Sequence, residues 1–279
     1  MMKLGSSAIV TIGALLSFSA GCLMEAADVG AEGLDEDVGV SPLTGGDGGN
    51  GIITGNGASA LTPTLVSTHA SLAAILTLDA LTLSALEANE LVTTLLGRTF
   101  LDYVVKCALP AGQSMTVSYL GSSYTFNGHV GMTPGWVNGA LSTSDRRWLS
   151  ACVLAHVNAT TTNVSILLRG DHPALSSAVG SAGAAYTLRE GAFYGDIFGL
   201  LQEKYACSGV GSTSARLCTE SIAGLSPCGF VVPGNCRGTF QSACEALSGG
   251  IYDTCHSALL LPLLPSTPYP ETITVYLQP

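Results

Sequence analysis

Nine cysteines in a chain this rich in glycine constrain the fold more tightly than any hydrophobic pattern does, because each bridge dictates which distant segments meet. Eight of them follow residue 100: Cys107, Cys152, Cys207, Cys218, Cys228, Cys236, Cys244 and Cys255. No CxxC pair occurs, and the last six are separated by 10, 9, 7, 7 and 10 residues. Zinc sites bring ligands in close pairs, about two to four residues apart, so the spacing suits a disulfide framework and no metal is expected. The last six can satisfy one another locally, in a connectivity the sequence leaves open. Cys107 and Cys152 have no other near neighbour, which predicts a Cys107–Cys152 bridge between two helices. Cys152 and His156 also stand one helical turn apart, a spacing that suits a Cys–His nucleophile or a metal pair. A nucleophile needs a free thiolate, however, and in an oxidising compartment pairing with Cys107 takes precedence.

The odd cysteine is Cys22. Lys3 precedes an apolar run from Ala8 to Phe18, and Ser19-Ala20-Gly21-Cys22 follows it. The layout is that of an export signal over 1–21, and no apolar run reaches the ~18 residues that span a bilayer. The motif resembles the lipobox of bacterial lipoproteins, with Ser19 where leucine is commonest. The resemblance implies that the signal is cut before Cys22 and that its thiol is lipidated, giving a cell-envelope protein held at the outer membrane or cell surface. The alternative is an ordinary secretory signal cut elsewhere, for example after Ala20, with Cys22 left free.

Removing residues 1–21 leaves 9 of the 10 Lys+Arg against 20 Asp+Glu, a formal net charge of −11. Glu25, Asp28, Glu32, Asp35, Glu36, Asp37 and Asp47 all precede residue 50. There is no basic groove for phosphates, so nucleic acid is not an expected partner. With its glycines and low apolar content, the stretch 22–60 reads as a flexible acidic tether. The rest is globular: 11% of residues are charged and 47% hydrophobic.

Leu76, Leu81, Leu86 and Leu91 recur every five residues, faintly resembling pentapeptide repeats, but too few to stand alone. A Leu-rich helical or irregular segment over 61–88 is the preferred reading. From Asn89, read as a cap, the period becomes helical: Val92, Leu96, Phe100, Tyr103, Val104 and Cys107 share one face, and Pro110 ends it. Residues 115–131 read as a hairpin turning at Gly121-Ser122-Ser123, and Thr133–Trp136 as a turn with a partly buried tryptophan. A second helix over 143–160 takes Ser144 as N-cap. Residues 163–170, 184–199 and 272–277 read as strands. The module over 89–279 is therefore α+β: two helices on short antiparallel strands, with a disulfide-stapled, loop-rich part over 207–255.

The stretches YVVKCALPAGQS, YTFNGHVGMTPGW, RRWLSACVLAHVN, ILLRG, REGAFYGDIFG and YACSG, taken together over roughly residues 75–277, resemble an uncharacterised group of exported lipoproteins of the myxobacterial type. The resemblance implies no known activity and transfers no catalytic residue.

Asp171 and His172 open a turn after a strand, and Arg189, Glu190 and Asp196 lie in an aromatic-rich strand region. Asp171, His172 and Glu190 are the candidates for acid–base chemistry; the competing reading is a turn aspartate, a surface histidine and a structural ion pair. No nucleophile elbow, HExxH or phosphate loop is present, and no cofactor is expected. Two N-glycosylation patterns, at Asn158 and Asn163, have no meaning in a bacterial envelope. The leading expectation is a lipid-anchored protein whose module binds or scaffolds an extracytoplasmic partner. A secreted hydrolase and a structural or adhesive surface protein are the alternatives.

Overall fold

A computed structural model describes residues 51–55, 61–160, 163–209, 216–238, 242–257 and 266–279. The signal, Cys22 and the tether up to residue 50 lie outside the described residues.

The chain opens with strand β1 (Ile52–Gly55), followed by helices α1 (Pro63–Leu76), α2 (Leu83–Glu87) and α3 (Leu95–Ala108). The hairpin β2 (Ser114–Tyr119) and β3 (Ser122–Asn127) leads to α4 (Thr143–Ala155). Then come β4 (Ser165–Arg169), β5 (Leu188–Asp196), β6 (Glu203–Ser208), β7 (Cys244–Ser248), β8 (Ile251–His256), β9 (Pro268–Tyr269) and β10 (Ile273–Leu277). The fold is α+β. A five-stranded antiparallel sheet, ordered β1-β4-β10-β5-β6, carries α4 on one face, and α3 packs between α4 and α1. Phe100, Val104, Leu149, Val153, Ile166, Phe193 and Val275 meet in one buried core. A three-stranded sheet, β7-β8-β9, was not expected; β7 and most of β8 lie in the stretch read as loop-rich, and β9 lies beyond it.

Threonine caps explain the segmentation of the first helices. Thr62, Thr82 and Thr94 each accept from a backbone N–H inside the following first turn, at 3.3, 3.2 and 3.0 Å. Leu76, Leu81, Leu86 and Leu91 are all buried, yet they sit in different elements: α1, a loop, α2 and a 3₁₀ turn. The five-residue period reflects one leucine per short element and is not a repeat coil.

Four boundaries differ from the sequence reading. The tether does not extend through residue 55. Its Ile52-Ile53-Thr54 run is β-branched and pairs with β4, Ile52 opposite Leu168. Asn89 caps only the 3₁₀ turn Glu90–Thr93, and α3 starts afresh at Leu95. A Cβ at Gly97 would lie 2.4 Å from the Leu91 carbonyl oxygen, so the turn folds directly onto the helix start. That restart leaves Leu96 57% exposed. The hairpin turns at Leu120-Gly121, both at positive φ (48° and 81°), the two-residue geometry that matches strand twist. Finally, Ser142 and not Ser144 caps α4, in a capping box: Ser142 Oγ accepts from Asp145 N at 3.1 Å, and Asp145 Oδ2 accepts from Ser142 N at 3.0 Å.

Four bridges staple this frame. Cys107–Cys152 joins α3 to α4 with Cα atoms 5.9 Å apart, as expected. Cys207–Cys236, Cys218–Cys228 and Cys244–Cys255 supply the connectivity the sequence left open. The first of these three ties the C-terminal part to the main sheet through β6.

Candidate ligand cleft beside His172

The last turn of a helix leaves carbonyls without intrahelical donors. In α3 these carbonyls organise a site. His129 N and Val130 N both donate to the Lys106 carbonyl (3.1 and 2.9 Å), Met132 N to that of Cys107 (2.9 Å), and Thr133 N to that of Ala108 (2.9 Å). Residues 129–133 are thereby laid along the helix end, beside the Cys107–Cys152 bridge. Pro134 then opens a 3₁₀ turn that buries Trp136. The indole Nε1 donates to the carbonyls of Leu76 (3.2 Å) and Asp79 (3.1 Å), at the C-terminal end of α1 and just beyond it.

Opposite this wall stands the turn after β4. His172 Nδ1 accepts from Ala174 N at 3.1 Å and so caps the short turn Pro173–Leu175. The Met132 backbone of the facing wall lies beside the ring, and Trp148 of α4 packs on it with centroids 4.9 Å apart. Between the walls lies a cleft of about 980 Å³, with Ile52 of β1 at one side and Leu141 at another. That volume is in the range of small-molecule sites.

The electrostatics of the cleft are quiet. Burial pushes His172 below the usual imidazole range; Asp145, Asp171 and the Met132 backbone offset part of that. His172 Nδ1 is engaged by Ala174 N, and the Met132 backbone stands beside the ring. His129 Nε2 donates to the Ile53 carbonyl at 3.2 Å. Asp145 is engaged by the α4 cap. Thr133 differs: its residue is 3% exposed and its Oγ1 is buried without a hydrogen-bond partner.

The three acid–base candidates do not assemble. Asp171 is exposed and His172 lines the cleft. Glu190 is wholly buried on β5 against the guanidinium of Arg216, also wholly buried. The register Leu168–Val275–Gly191 puts β10 between β4 and β5, so Glu190 lies two strands from β4 and level with its Leu167 and Leu168, short of the turn that carries Asp171 and His172. Of the neighbouring charges, Arg189 Nε donates to the Tyr252 hydroxyl (3.0 Å) and Asp196 accepts from Arg146 (3.0 Å). A site built on Asp171, His172 and Glu190 is therefore replaced by a cleft in which only His172 takes part. Thr133, Trp136, His129 and Asp145 were missed as site residues. Their signal was the Gly/Pro-rich GHVGMTPGW, whose backbone can follow a helix end closely.

The Cys152–His156 pair is accounted for separately. Cys152 is bridged, and His156 Nδ1 bonds the Cys152 carbonyl (2.8 Å) while lying 3.7 and 4.0 Å from the Cys107 and Cys152 sulfurs. Nε2 meets Thr54 Oγ1 of β1 at 3.2 Å. Burial pushes the imidazole down to about 3, so His156 is a neutral internal link. Cys207, Cys244 and Cys255 also bring their sulfurs together, within 4.8 Å, but all three belong to bridges.

Comparison with known proteins finds no matching family model, curated protein or solved structure.

Proposed function

We propose that this chain is an exported cell-envelope lipoprotein, anchored through Cys22, whose disulfide-stapled module binds an extracytoplasmic ligand in the cleft beside His172. One observation carries the reading. All eight cysteines beyond residue 100 pair among themselves, which leaves Cys22 as the odd member of nine. A set of four bridges belongs to an oxidising compartment, and the signal-like run before Cys22 supplies the route there. Among the described residues no helix is long and apolar enough to cross a membrane, so a lipid on Cys22 supplies the membrane attachment in this reading. The cleft gives the module something to present: a concave, mostly apolar surface on a rigid, bridged frame.

Fractionation of cells expressing Cys22→Ala tests the anchor. The wild type is expected with the membranes and the variant in the soluble exported fraction. A variant that stays with the membranes contradicts the proposal.

A further inference from the structure

The main sheet has a second face, away from α4. Leu168, Val275 and Phe193 of β4, β10 and β5 belong to the core shared with α4, whereas Leu167 and Tyr276 form a small cluster of their own. Side chains alternate along a strand, so Arg169 follows Leu167 onto this outer face, and its guanidinium carbon lies 5.6 Å from the centre of the Tyr276 ring. Arg189 reaches the same face through a bulge. Val275 stands opposite Gly191 and Tyr276 opposite Arg189, so Glu190 is the extra residue of β5. Without the bulge, Glu190 would stand opposite Tyr276 and Arg189 would turn to the core. With it, Glu190 goes inward to Arg216, and Arg189 comes up beside Tyr276.

The β7–β8 hairpin lies against both arginines. Arg189 Nε donates to the Tyr252 hydroxyl at 3.0 Å, and the Tyr276 hydroxyl donates to the Gly250 carbonyl at 2.6 Å. A Cβ at Gly250 would lie 2.9 Å from Arg169 Nη1 and 2.7 Å from the Tyr276 hydroxyl, so the glycine turn rests directly on the arginine. Two half-buried guanidinium groups are thereby gathered around one tyrosine. Neither is neutralised. Lys106, Arg146, Arg147 and Arg216 each have a carboxylate partner, but among the described residues Arg169 and Arg189 have none. With 20 Asp+Glu against 10 Lys+Arg, the chain has carboxylates to spare, and the bulge keeps the nearest one, Glu190, out of this face. Like charges held together repel, and an oxyanion beside them relieves the repulsion; the planar fork of arginine fits carboxylate and phosphate oxygens two at a time.

We infer that Arg169 and Arg189 form a binding site for a small oxyanion, the carboxylate or phosphate group of a soluble molecule. Neither arginine lines the cleft beside His172, so this site stands or falls independently of that one.

The amide resonances of Gly249 and Gly250 report occupancy, because their turn lies on Arg169. The full chain with bridges intact is titrated with sodium phosphate, sodium acetate and sodium chloride at matched ionic strength. Phosphate and acetate should shift both resonances saturably, and chloride should not. Arg169→Gln and Arg189→Gln should each weaken phosphate by at least about tenfold, the loss of a charge-assisted bond. Should either variant fail to fold, the lysine variants keep the charge and lose the fork, and they should still weaken phosphate. Arg98→Gln removes another arginine that lies on a tyrosine, Tyr124, without a carboxylate partner, and should leave the affinity unchanged.

If chloride matches phosphate, if the glutamine variants bind as the wild type does, or if Arg98→Gln weakens binding as much as they do, the two arginines are structural stacks on tyrosine and the site is wrong. Vesicles of phosphatidylglycerol, set against phosphatidylcholine, test the source. Broadening of the two glycine resonances by the anionic vesicles, with no response to phosphate, would overturn the soluble ligand.

Discussion

Glu190 and Arg216 form an ion pair inside the protein, with neither side chain reaching solvent. Arg216 also donates to the carbonyls of Ala155 and Val157, at and just past the end of α4, so it is at once a counter-ion and a helix cap. Removing one partner strands the other charge. Glu190→Gln should cost about 3–5 kcal/mol in denaturant unfolding, whereas Glu190→Leu with Arg216→Met should recover much of that loss. The recovery should be incomplete, because the two carbonyls lose their donor. A single-variant cost below about 1 kcal/mol would remove this pair from the account of the core.

The Cys107–Cys152 bridge closes a loop of about 46 residues, for which chain entropy gives roughly 4 kcal/mol. It also holds the end of α3, on which residues 129–133 hang. Replacing both cysteines with alanine should lower unfolding stability by about that amount and loosen the cleft. Amide exchange should show it: protection at Met132 and Thr133 should fall further than in β4. Equal loss at both would mean that the bridge stabilises the fold without shaping the site.

His156 makes stability depend on pH. Unfolded, it titrates near 6.5; in the fold, burial, reinforced by Lys106, Arg216 and His129, holds it neutral down to about 3, against the Cys152 carbonyl bond. Between those values the unfolded chain binds the extra proton. Stability is therefore complete above pH 6.5 and lost as pH falls toward 3, at up to roughly 1.4 kcal/mol per unit. His172, lowered for the same reason, adds a slope of the same sign. His156→Gln should flatten the profile between pH 6 and 4, as ~pH-dependent urea melts will show. An identical slope in wild type and variant would contradict the assignment.

Leu120 occupies a left-handed position (φ 48°) at the hairpin turn and is 86% exposed. Asparagine tolerates that conformation better, so Leu120→Asn should stabilise the protein by about 0.5–1 kcal/mol, read as a higher melting temperature. Destabilisation would place the turn elsewhere.

The same leucine explains what the sequence hid. A two-residue turn usually announces itself with Asn-Gly, and here Leu-Gly moved the expected turn onto Gly121-Ser122-Ser123. Local chemistry was legible where it acts alone: Pro110 stopping α3, the Cys107–Cys152 pairing of two otherwise unpartnered cysteines, and the β10 run ITVYL, buried at every position. It failed where tertiary contact decides. Strand β1 exists because Ile52-Ile53-Thr54 finds β4 more than a hundred residues later. Glu190 looked catalytic beside Arg189 because nothing local points to Arg216. The cleft escaped notice because backbone hydrogen bonds to a helix end build it, and these leave no side-chain motif beyond glycine and proline.

The central claim is that eight cysteines are bridged and the ninth carries the membrane anchor. Intact-mass analysis of the exported protein, alkylated without reduction, tests it most directly. The account predicts an N-terminus at Cys22, a mass increment matching a thioether-linked diacylglycerol on that residue, and no alkylated thiol. An unlipidated chain, a start at another residue, or alkylation of any of the eight cysteines would contradict it.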